Sequence, residues 1–282
     1  MGTRRKRLDL LLVERGLYPT RSAARAAIMS GLIMVGCNRV DKSGTLVNED
    51  IQIQVLETLR YVSRGGLKME KALRHFSIDP KGWIIVDVGA STGGFTDCLL
   101  QAGAAKVYCI DVGYGQLDWR LRQDSRVIVL ERTNIRYLEK EKIAEPVDLA
   151  VIDVSFISLS LVLPVLVGLR VPEIITLVKP QFEVGKGLVG KKGVVRDPEQ
   201  HLSVLHNLEV KIKELEYHIA GVTFSPITGP QGNIEYLLHL KAGKYKGEDP
   251  GDTIFAAVVD EAVQCLRGGA DQTGNNVEGK KG

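Results

Sequence analysis

The chain contains 282 residues, of which 44% are hydrophobic and 25% are charged, and its formal net charge is +3. This length accommodates a small domain and a medium-sized one, and the composition is typical of globular proteins with a buried core. The longest apolar stretch, residues 159–169, contains Pro164 and is shorter than the roughly 20 residues that a membrane-spanning helix needs. The basic N-terminus leads into an amphipathic pattern, unlike a signal peptide. We therefore expect a cytoplasmic protein with no membrane partner.

The positive charge is concentrated in the first part of the chain. Residues 1–64 contain 11 Lys and Arg against 6 Asp and Glu, whereas the remaining residues contain 26 against 28. A basic module joined to a nearly neutral one suggests that the first part binds a polyanion. A basic surface that is merely solvated explains the same composition, so charge alone leaves the partner open.

The cysteines show no sign of a metal site. Cys37, Cys98, Cys109 and Cys265 lack the paired spacing of metal ligands, and three of them lie within apolar patterns. We interpret them as reduced core thiols and expect no bound metal.

Residues 4–59 have the pattern of a small α+β unit. Leu8 and Leu11 belong to an apolar stripe that predicts a helix ending at Gly16. Thr20 caps a second predicted helix over residues 21–30, which ends at Gly31. Short strands are predicted at residues 32–35 and 51–55, with a turn at 41–44 between them.

This unit resembles the S-four RNA-binding domain. The matching residues are Arg7, Leu8, Asp9, Arg21, Ser22, Arg25 and Gly31. The resemblance implies that Lys6, Arg7, Arg21 and Arg25 face RNA phosphates. Arginines in the first turn of a helix suit this role, because the backbone N–H groups there already favour anions. The alternative is that these arginines only solvate the surface of the helix.

From residue 82 onward, apolar strands alternate with helical patterns, which predicts a doubly wound α/β sheet. The predicted strands are 83–88, 105–111, 126–130, 149–154, 174–178, 219–224 and 234–240, and the predicted helices are near 94–102, 117–122, 135–143, 158–169 and 197–216. The strands are apolar enough for a parallel sheet that is buried on both faces. The last two have little room for a crossover helix, so we expect an antiparallel hairpin.

A glycine-rich turn follows the first of these strands and begins a helix, which is the context of a nucleotide-binding site. Its candidate cofactor-binding residues are Asp87, Gly89, Ala90, Ser91, Gly93, Gly94 and Phe95. Ser91 stands where close approach of a pyrophosphate favours glycine, so S-adenosyl-L-methionine fits better than NAD or a flavin. The charge of Asp87 suits the cationic methionine end of that cofactor. Asp111 and Asn134 follow the next two strands, and Asp111 is placed to accept hydrogen bonds from ribose hydroxyls.

Four charged residues are predicted to lie near the same edge of the sheet as the glycine-rich turn: Lys68, Asp153, Lys179 and Glu235. Asp153 and Lys179 each follow an apolar strand, and Glu235 begins the last one. Taken singly, each fits the solvated end of a strand. Their common position at the edge where open α/β sheets bind ligands favours a catalytic set.

Five segments resemble the TlyA family, which is named both as haemolysin A and as a ribosomal RNA 2′-O-methyltransferase. They are residues 61–68, 87–95, 110–117, 153–158 and 178–186. The catalytic part is similar to the FtsJ-type 2′-O-methyltransferases, whose Lys-Asp-Lys-Glu set maps onto Lys68, Asp153, Lys179 and Glu235. The resemblance implies a Rossmann-like, seven-stranded, S-adenosylmethionine-dependent methyltransferase fold and methylation of a cytidine ribose in 16S or 23S rRNA within ribosomal subunits.

The expected organisation has four parts. An S-four-type RNA-binding domain covers residues 1–60, and a linker at 61–81 carries Lys68 and a further RNA-binding candidate, Arg64. An FtsJ-type methyltransferase domain covers residues 82–267, and the polar, glycine-rich tail at 268–282 is expected to be disordered.

The sequence leaves several alternatives open. Lys179 could act as a neutral base or as an ammonium that stabilises the forming oxyanion. The basic loop 185–193 could be a lid over RNA or an ordinary flexible loop. A pore-forming haemolysin would need a membrane-spanning or amphipathic face, which the sequence lacks. A non-catalytic RNA-binding assembly factor would keep the fold without the chemistry.

Overall fold

The computed structural model describes residues 5–29, 31–36, 38–40, 42–55, 60–185, 189–190, 193–244 and 251–267. Cys37, much of the basic loop at 185–193 and the tail at 268–282 lie outside the described residues. The chain divides into two units, Met1–Arg64 and Gly65–Gly282, which are described separately.

The first unit contains two helices packed beside short antiparallel strands. Its elements are β1 (Arg5–Arg7), α1 (Leu8–Glu14), α2 (Arg21–Met29), β2 (Ile33–Val35), β3 (Asn38–Arg39), β4 (Leu46–Asn48) and β5 (Ile53–Val55). β1 pairs with β4, and β2 pairs with both β3 and β5. Its core is formed by leucines of α1, by Ala24, Ala27 and Ile28 of α2, and by Ile33 and Val47 of the strands. Both predicted helices are confirmed, and the amide of Ala23 donates to Thr20 Oγ1 at 3.2 Å, as expected of the cap.

Asp9 holds two of the predicted RNA-binding arginines in place. Its buried carboxylate accepts two hydrogen bonds from Arg7 at 3.0 Å and one from Arg21 Nε at 3.0 Å. Hydrogen bonding by Arg7, followed by Arg21, lowers the pKa of Asp9 to about 2. Both guanidinium groups therefore lie close together at the start of α2.

The second unit is a seven-stranded sheet with helices on both faces. Its elements are α3 (Gly65–His75), β6 (Ile84–Val88), α4 (Gly94–Gln101), β7 (Lys106–Ile110), α5 (Trp119–Arg122), β8 (Val127–Leu130), β9 (Leu149–Ile152), α6 (Leu163–Gly168), β10 (Glu173–Val178), α7 (Pro180–Glu183), α8 (Pro198–Glu214), β11 (Tyr217–Phe224), β12 (Tyr236–Ala242) and α9 (Gly251–Arg267). The strand order is β11-β12-β10-β9-β6-β7-β8. β6 to β10 run parallel, and β12 runs antiparallel to both of its neighbours. The predicted fold class and the final antiparallel hairpin are confirmed.

Four local predictions differ from the structure. The segment at 61–81, expected to be a linker, contains α3, in which Gly66 is buried. The helix expected near 135–143 is replaced by two 3₁₀ turns, Ile135–Tyr137 and Lys140–Lys142. α9 follows the last strand where no helix was predicted. Of the described cysteines, Cys98 and Cys109 are buried as expected, but Cys265 is exposed.

We predict that Asp9→Asn destabilises the first unit by roughly 1–3 kcal/mol, because Arg7 and Arg21 lose the negative charge and one of the two oxygens that accept their hydrogen bonds. The pKa of Asp9 lies below its ordinary value of 3.8, so its stabilisation is complete above that pH and is lost as the pH falls towards about 2. Hydrogen exchange of the α1 and α2 amides should show faster opening at pH 7, and the difference from wild type should shrink in acid. Asp50→Asn, at an exposed acid of the same unit, is the control. Equal protection in the Asp9 variant at pH 7 would refute the role of this carboxylate.

Candidate active site

The loop after β6 approaches the loop after β9 too closely for a side chain. Gly89 has a φ of +84°, and a Cβ there would lie 2.5 Å from the carbonyl oxygen of Asp153. Gly93 also has a positive φ and precedes the first residue of α4. The glycines are therefore required by a left-handed turn and by the contact between two strand ends.

A cavity of about 720 Å³ opens beside this turn at the carboxyl edge of the sheet. Four predicted cofactor-binding residues line it: Gly89, Ser91, Asp111 and Asn134. The other five do not line it and instead belong to the end of β6, the turn and the start of α4: Asp87, Ala90, Gly93, Gly94 and Phe95. The cavity has the size of a small-molecule site and lies where α/β folds bind nucleotides.

Asp111 shapes one wall of the cavity. One carboxylate oxygen accepts the amide of Ser91 at 2.8 Å, and the other accepts the amide of Gly113 at 2.7 Å. Each oxygen keeps a second lone pair. The predicted contact with ribose hydroxyls is compatible with this geometry, because the two backbone donors orient the carboxylate without saturating it.

Asp87 is buried behind the turn. One carboxylate oxygen, Oδ2, accepts hydrogen bonds from the amide and the hydroxyl of Thr96, at 3.1 and 2.6 Å. The other, Oδ1, has no hydrogen-bond partner among the described residues. Burial raises the pKa of Asp87 to about 7, and the nearby charge of Asp153 acts in the same direction. A cationic group of a ligand would compensate this buried carboxyl, so the residues present fit a cofactor with an ammonium group.

Lys179 and Asp153 form an ion pair at the same edge. The ammonium of Lys179 lies 2.6 Å from Asp153 Oδ1 and donates a hydrogen bond to Ser155 Oγ at 2.9 Å. Asp153 and Ser155 both line the cavity. The side chain of Lys179 is only 10% exposed, so its charge is held within reach of the cavity wall and away from bulk water.

Lys68 and Glu235 form a second ion pair, with 2.6 Å between Nζ and Oε2. Glu235 is fully buried, and Lys68 extends to it from α3. The β10–β12 register ends with Val178 opposite Tyr236, so the next pair along the ladder is Lys179 and Glu235. The structure thus brings all four predicted catalytic residues to one edge, as two ion pairs joined through this register.

The predicted RNA-binding residues differ in whether their positive charges are exposed or already paired with acidic side chains. Lys6 lies 2.6 Å from Glu14 and 3.1 Å from Glu49, so its charge is balanced locally. Arg7 and Arg21 share Asp9 but remain about half exposed. Arg25 is exposed, and Arg64 is half-buried.

Three residues of the site were not predicted from the sequence. Ser155 contacts Lys179, as described above. Phe156 has a φ of +64°, is 90% exposed and lines the cavity. Gly229 packs against the carboxylate of Glu235. Ser155 and Phe156 lie within the motif at 153–158, which offered a signal, whereas nothing in the sequence links Gly229 to Glu235.

The comparisons with known proteins agree with this arrangement. A family model described as FtsJ-like methyltransferase matches residues 61–242, and one described as S4 domain matches residues 6–53. The chain belongs to the FtsJ-like methyltransferase family. The family match includes α3, so the segment that carries Lys68 is part of this methyltransferase unit.

The relatives of this FtsJ-like methyltransferase confirm the predicted TlyA resemblance. YqxC of Bacillus subtilis (strain 168), provisionally named an rRNA methyltransferase, is 51% identical over 95% of this chain and 97% of its own. The 16S/23S rRNA (cytidine-2′-O)-methyltransferase TlyA of Mycobacterium tuberculosis is 48% identical over 84% of this chain and 90% of its own. A solved Streptococcus thermophilus structure, provisionally named a hemolysin, is 40% identical, covers 96% of this chain and 100% of its own, and has a TM-score of 0.76.

Two further features bear on the alternatives. Within the described ranges, the methyltransferase has no helix long and apolar enough to cross a membrane. The same residues contain no group of three or more His, Cys, Asp or Glu arranged to hold a metal ion.

We predict that Gly229→Ala lowers methyl-transfer activity by about tenfold or more, because the added Cβ would overlap Glu235 Oε1 and displace the carboxylate from Lys68. Glu235 is fully buried and its Oε2 is paired with Lys68, so a loss of stability of about 1–3 kcal/mol should accompany the displacement. Activity assays and thermal unfolding measure both. Gly168→Ala, where a Cβ would meet only ordinary contacts at 3.6 Å, is the control. Full activity of the Gly229 variant would contradict this account of the site.

Proposed function

We propose that this protein is an S-adenosyl-L-methionine-dependent methyltransferase that modifies the 2′-hydroxyl of cytidine in 16S or 23S rRNA within ribosomal subunits. The observation that carries the proposal is the ion pair between Lys179 and Asp153, placed beside a cavity that the glycine turn leaves open. The Mycobacterium tuberculosis relative is named for the same nucleotide, position and RNAs. A ribosomal substrate would place the protein in the cytoplasm.

The cavity supplies groups suited to each end of the cofactor. Asp111 and Asn134, which line the cavity, would hold the nucleoside, and the backbone at Gly89 and Ser91 lines the same cavity. Asp87, behind the turn, offers negative charge to the methionine ammonium. S-adenosyl-L-methionine supplies an electrophilic methyl group when bound.

Lys179 would act on the attacking 2′-oxygen. A ribose hydroxyl is a weak acid, so its attack requires a base or a cation that stabilises the forming oxyanion. We favour the cation, because Lys179 lies 2.6 Å from the carboxylate of Asp153 and donates to Ser155. The hydroxyl proton would then leave to water, since an ammonium has no lone pair to accept it. The second ion pair, Lys68 with Glu235, fixes the strand end next to Lys179. Most of the rate enhancement would then come from orientation and electrostatics.

The first unit would provide RNA affinity. Arg7, Arg21 and Arg25 present positive charge around the start of α2, where helix geometry favours phosphate. Lys6 contributes less, since Glu14 and Glu49 already neutralise it. Phe156 exposes an aromatic ring on the cavity wall, where an unstacked base could pack.

The decisive experiment incubates the full chain with labelled S-adenosyl-L-methionine and separated small and large ribosomal subunits, then maps the modified nucleotide. We expect Lys179→Ala to reduce kcat on the order of 100-fold or more, because the oxyanion loses its stabilising charge. Lys140→Ala, at an exposed lysine, is the control and should remain active. Methyl transfer at the wild-type rate by the Lys179 variant would refute the catalytic assignment. An inactive wild type that still binds RNA would instead favour the assembly-factor alternative.

We predict opposite effects of Asp87→Asn on stability and on cofactor binding. The pKa of Asp87 is about 7 in the folded chain, above its ordinary value of 3.8, so the wild type loses stability as the pH rises through this interval. The variant lacks that loss and should be the more stable form at pH 8, by about 1.4 kcal/mol per unit of pKa shift at most. Cofactor affinity should be weaker in the variant, whereas that of the wild type should rise as Asp87 ionises.

Thermal unfolding at pH 5.5 and 8 and calorimetric titration with S-adenosyl-L-methionine measure these two effects. Asp79→Asn, at an exposed acid, is the control. If cofactor affinity were unchanged at pH 8, Asp87 would have no part in holding the ligand.

A further inference from the structure

The loops that follow β9 and β10 are joined by a series of contacts. Asp153 and Ser155 contact Lys179, and the ring of Phe156 lies 4.9 Å from the ring of Phe182. Farther along, Glu183 accepts hydrogen bonds from Ser158 Oγ at 2.7 Å and from the amide of Leu159 at 2.8 Å. Residues 153–159 and 179–183 are therefore held against each other over their whole length.

Within this series, the two contacts of Lys179 differ in kind. Nζ lies 2.6 Å from Asp153 Oδ1, at ion-pair distance, and this oxygen has no hydrogen-bond partner among the described residues. Among the described residues, Ser155 Oγ is the one hydrogen-bond acceptor of Lys179 Nζ. Coulomb attraction depends weakly on direction, whereas a hydrogen bond fixes it. Asp153 therefore attracts the ammonium of Lys179, and Ser155 sets the orientation of that ammonium.

The position of Ser155 suits this role. Its side chain lines the cavity, and the next residue, Phe156, adopts a left-handed conformation that is uncommon outside glycine. The ring contact with Phe182 secures this turn. The serine hydroxyl is consequently presented to Lys179 by a loop segment that is itself fixed at both ends.

We infer that Ser155 is a positioning residue for methyl transfer, which orients Lys179 so that a remaining N–H points at the 2′-oxygen of the acceptor ribose. This inference rests on the proposed function and adds Ser155 to the residues that act in it. An ammonium has three N–H bonds. One is directed to Ser155, so the rotation about Cε–Nζ is no longer free and the other two have defined directions.

The test compares Ser155→Ala, Ser155→Thr and Ser160→Ala in the full chain, with ribosomal subunits and S-adenosyl-L-methionine as substrates. Ser155→Ala should lower kcat roughly 10- to 100-fold, since small misorientation at a reacting centre has effects of this size. Its KM for RNA and its Kd for the cofactor should change less than about threefold. Its Tm should stay within about 2 °C, because Ser155 is exposed and, among the described residues, its hydroxyl contacts Lys179 alone. Ser155→Thr keeps the hydroxyl and should recover most of the lost kcat.

Ser160 is the matched control, because it belongs to the same loop and its hydroxyl contacts Ser158 rather than Lys179. Ser160→Ala should keep wild-type kcat. The inference is overturned if Ser155→Ala retains kcat within twofold of wild type, if Ser155→Thr is as slow as Ser155→Ala, or if Ser160→Ala is slowed equally. Failure of the wild type itself to methylate either subunit would instead count against the proposed function, so the two failures are distinguishable.

Discussion

The site depends on the reversed direction of one strand. β6 to β10 run parallel to one another. Asp153 follows β9 and Lys179 follows β10, so both lie at the carboxyl edge of the sheet. Glu235 precedes β12, and a parallel β12 would carry it to the opposite edge of the sheet. The antiparallel register from Glu173–Lys241 to Val178–Tyr236 instead places it beside Lys179. A single strand inversion therefore decides whether the four charged residues can meet.

The two ion pairs have different physical characters. Glu235 is fully buried and its partner Lys68 is 11% exposed, so removal of either would leave an isolated charge in the interior. Substitution there tests folding and catalysis together. Asp153 is 22% exposed and borders the cavity, which makes the pair with Lys179 accessible to a substrate. In the proposed mechanism, the buried pair is therefore part of the scaffold, and the bordering pair would act on the substrate.

The parts of the fold that the sequence predicts are those governed by local pattern. The strands were recognisable because apolar runs ended at polar residues such as Asp153 and Lys179. α3 was missed because Gly65 and Gly66 suggest a flexible linker, although tertiary packing buries Gly66. The opposite error occurred at 135–143, where a helical pattern forms only 3₁₀ turns. Contacts between distant segments, such as Gly229 with Glu235, leave no local pattern to read.

The loop around Phe156 shows how ordinary contacts stabilise an unusual backbone geometry. A non-glycine residue in the left-handed region costs on the order of 1 kcal/mol and persists only when its surroundings determine it. Here the contacts are those of the Phe156 ring with the Phe182 ring and of Ser158 and Leu159 with the carboxylate of Glu183. Burial raises the pKa of Glu183, yet its hydrogen bonds to these donors oppose that shift. Because α7 begins immediately after Lys179, the contacts of Phe182 and Glu183 with this turn also restrict the backbone that carries the lysine.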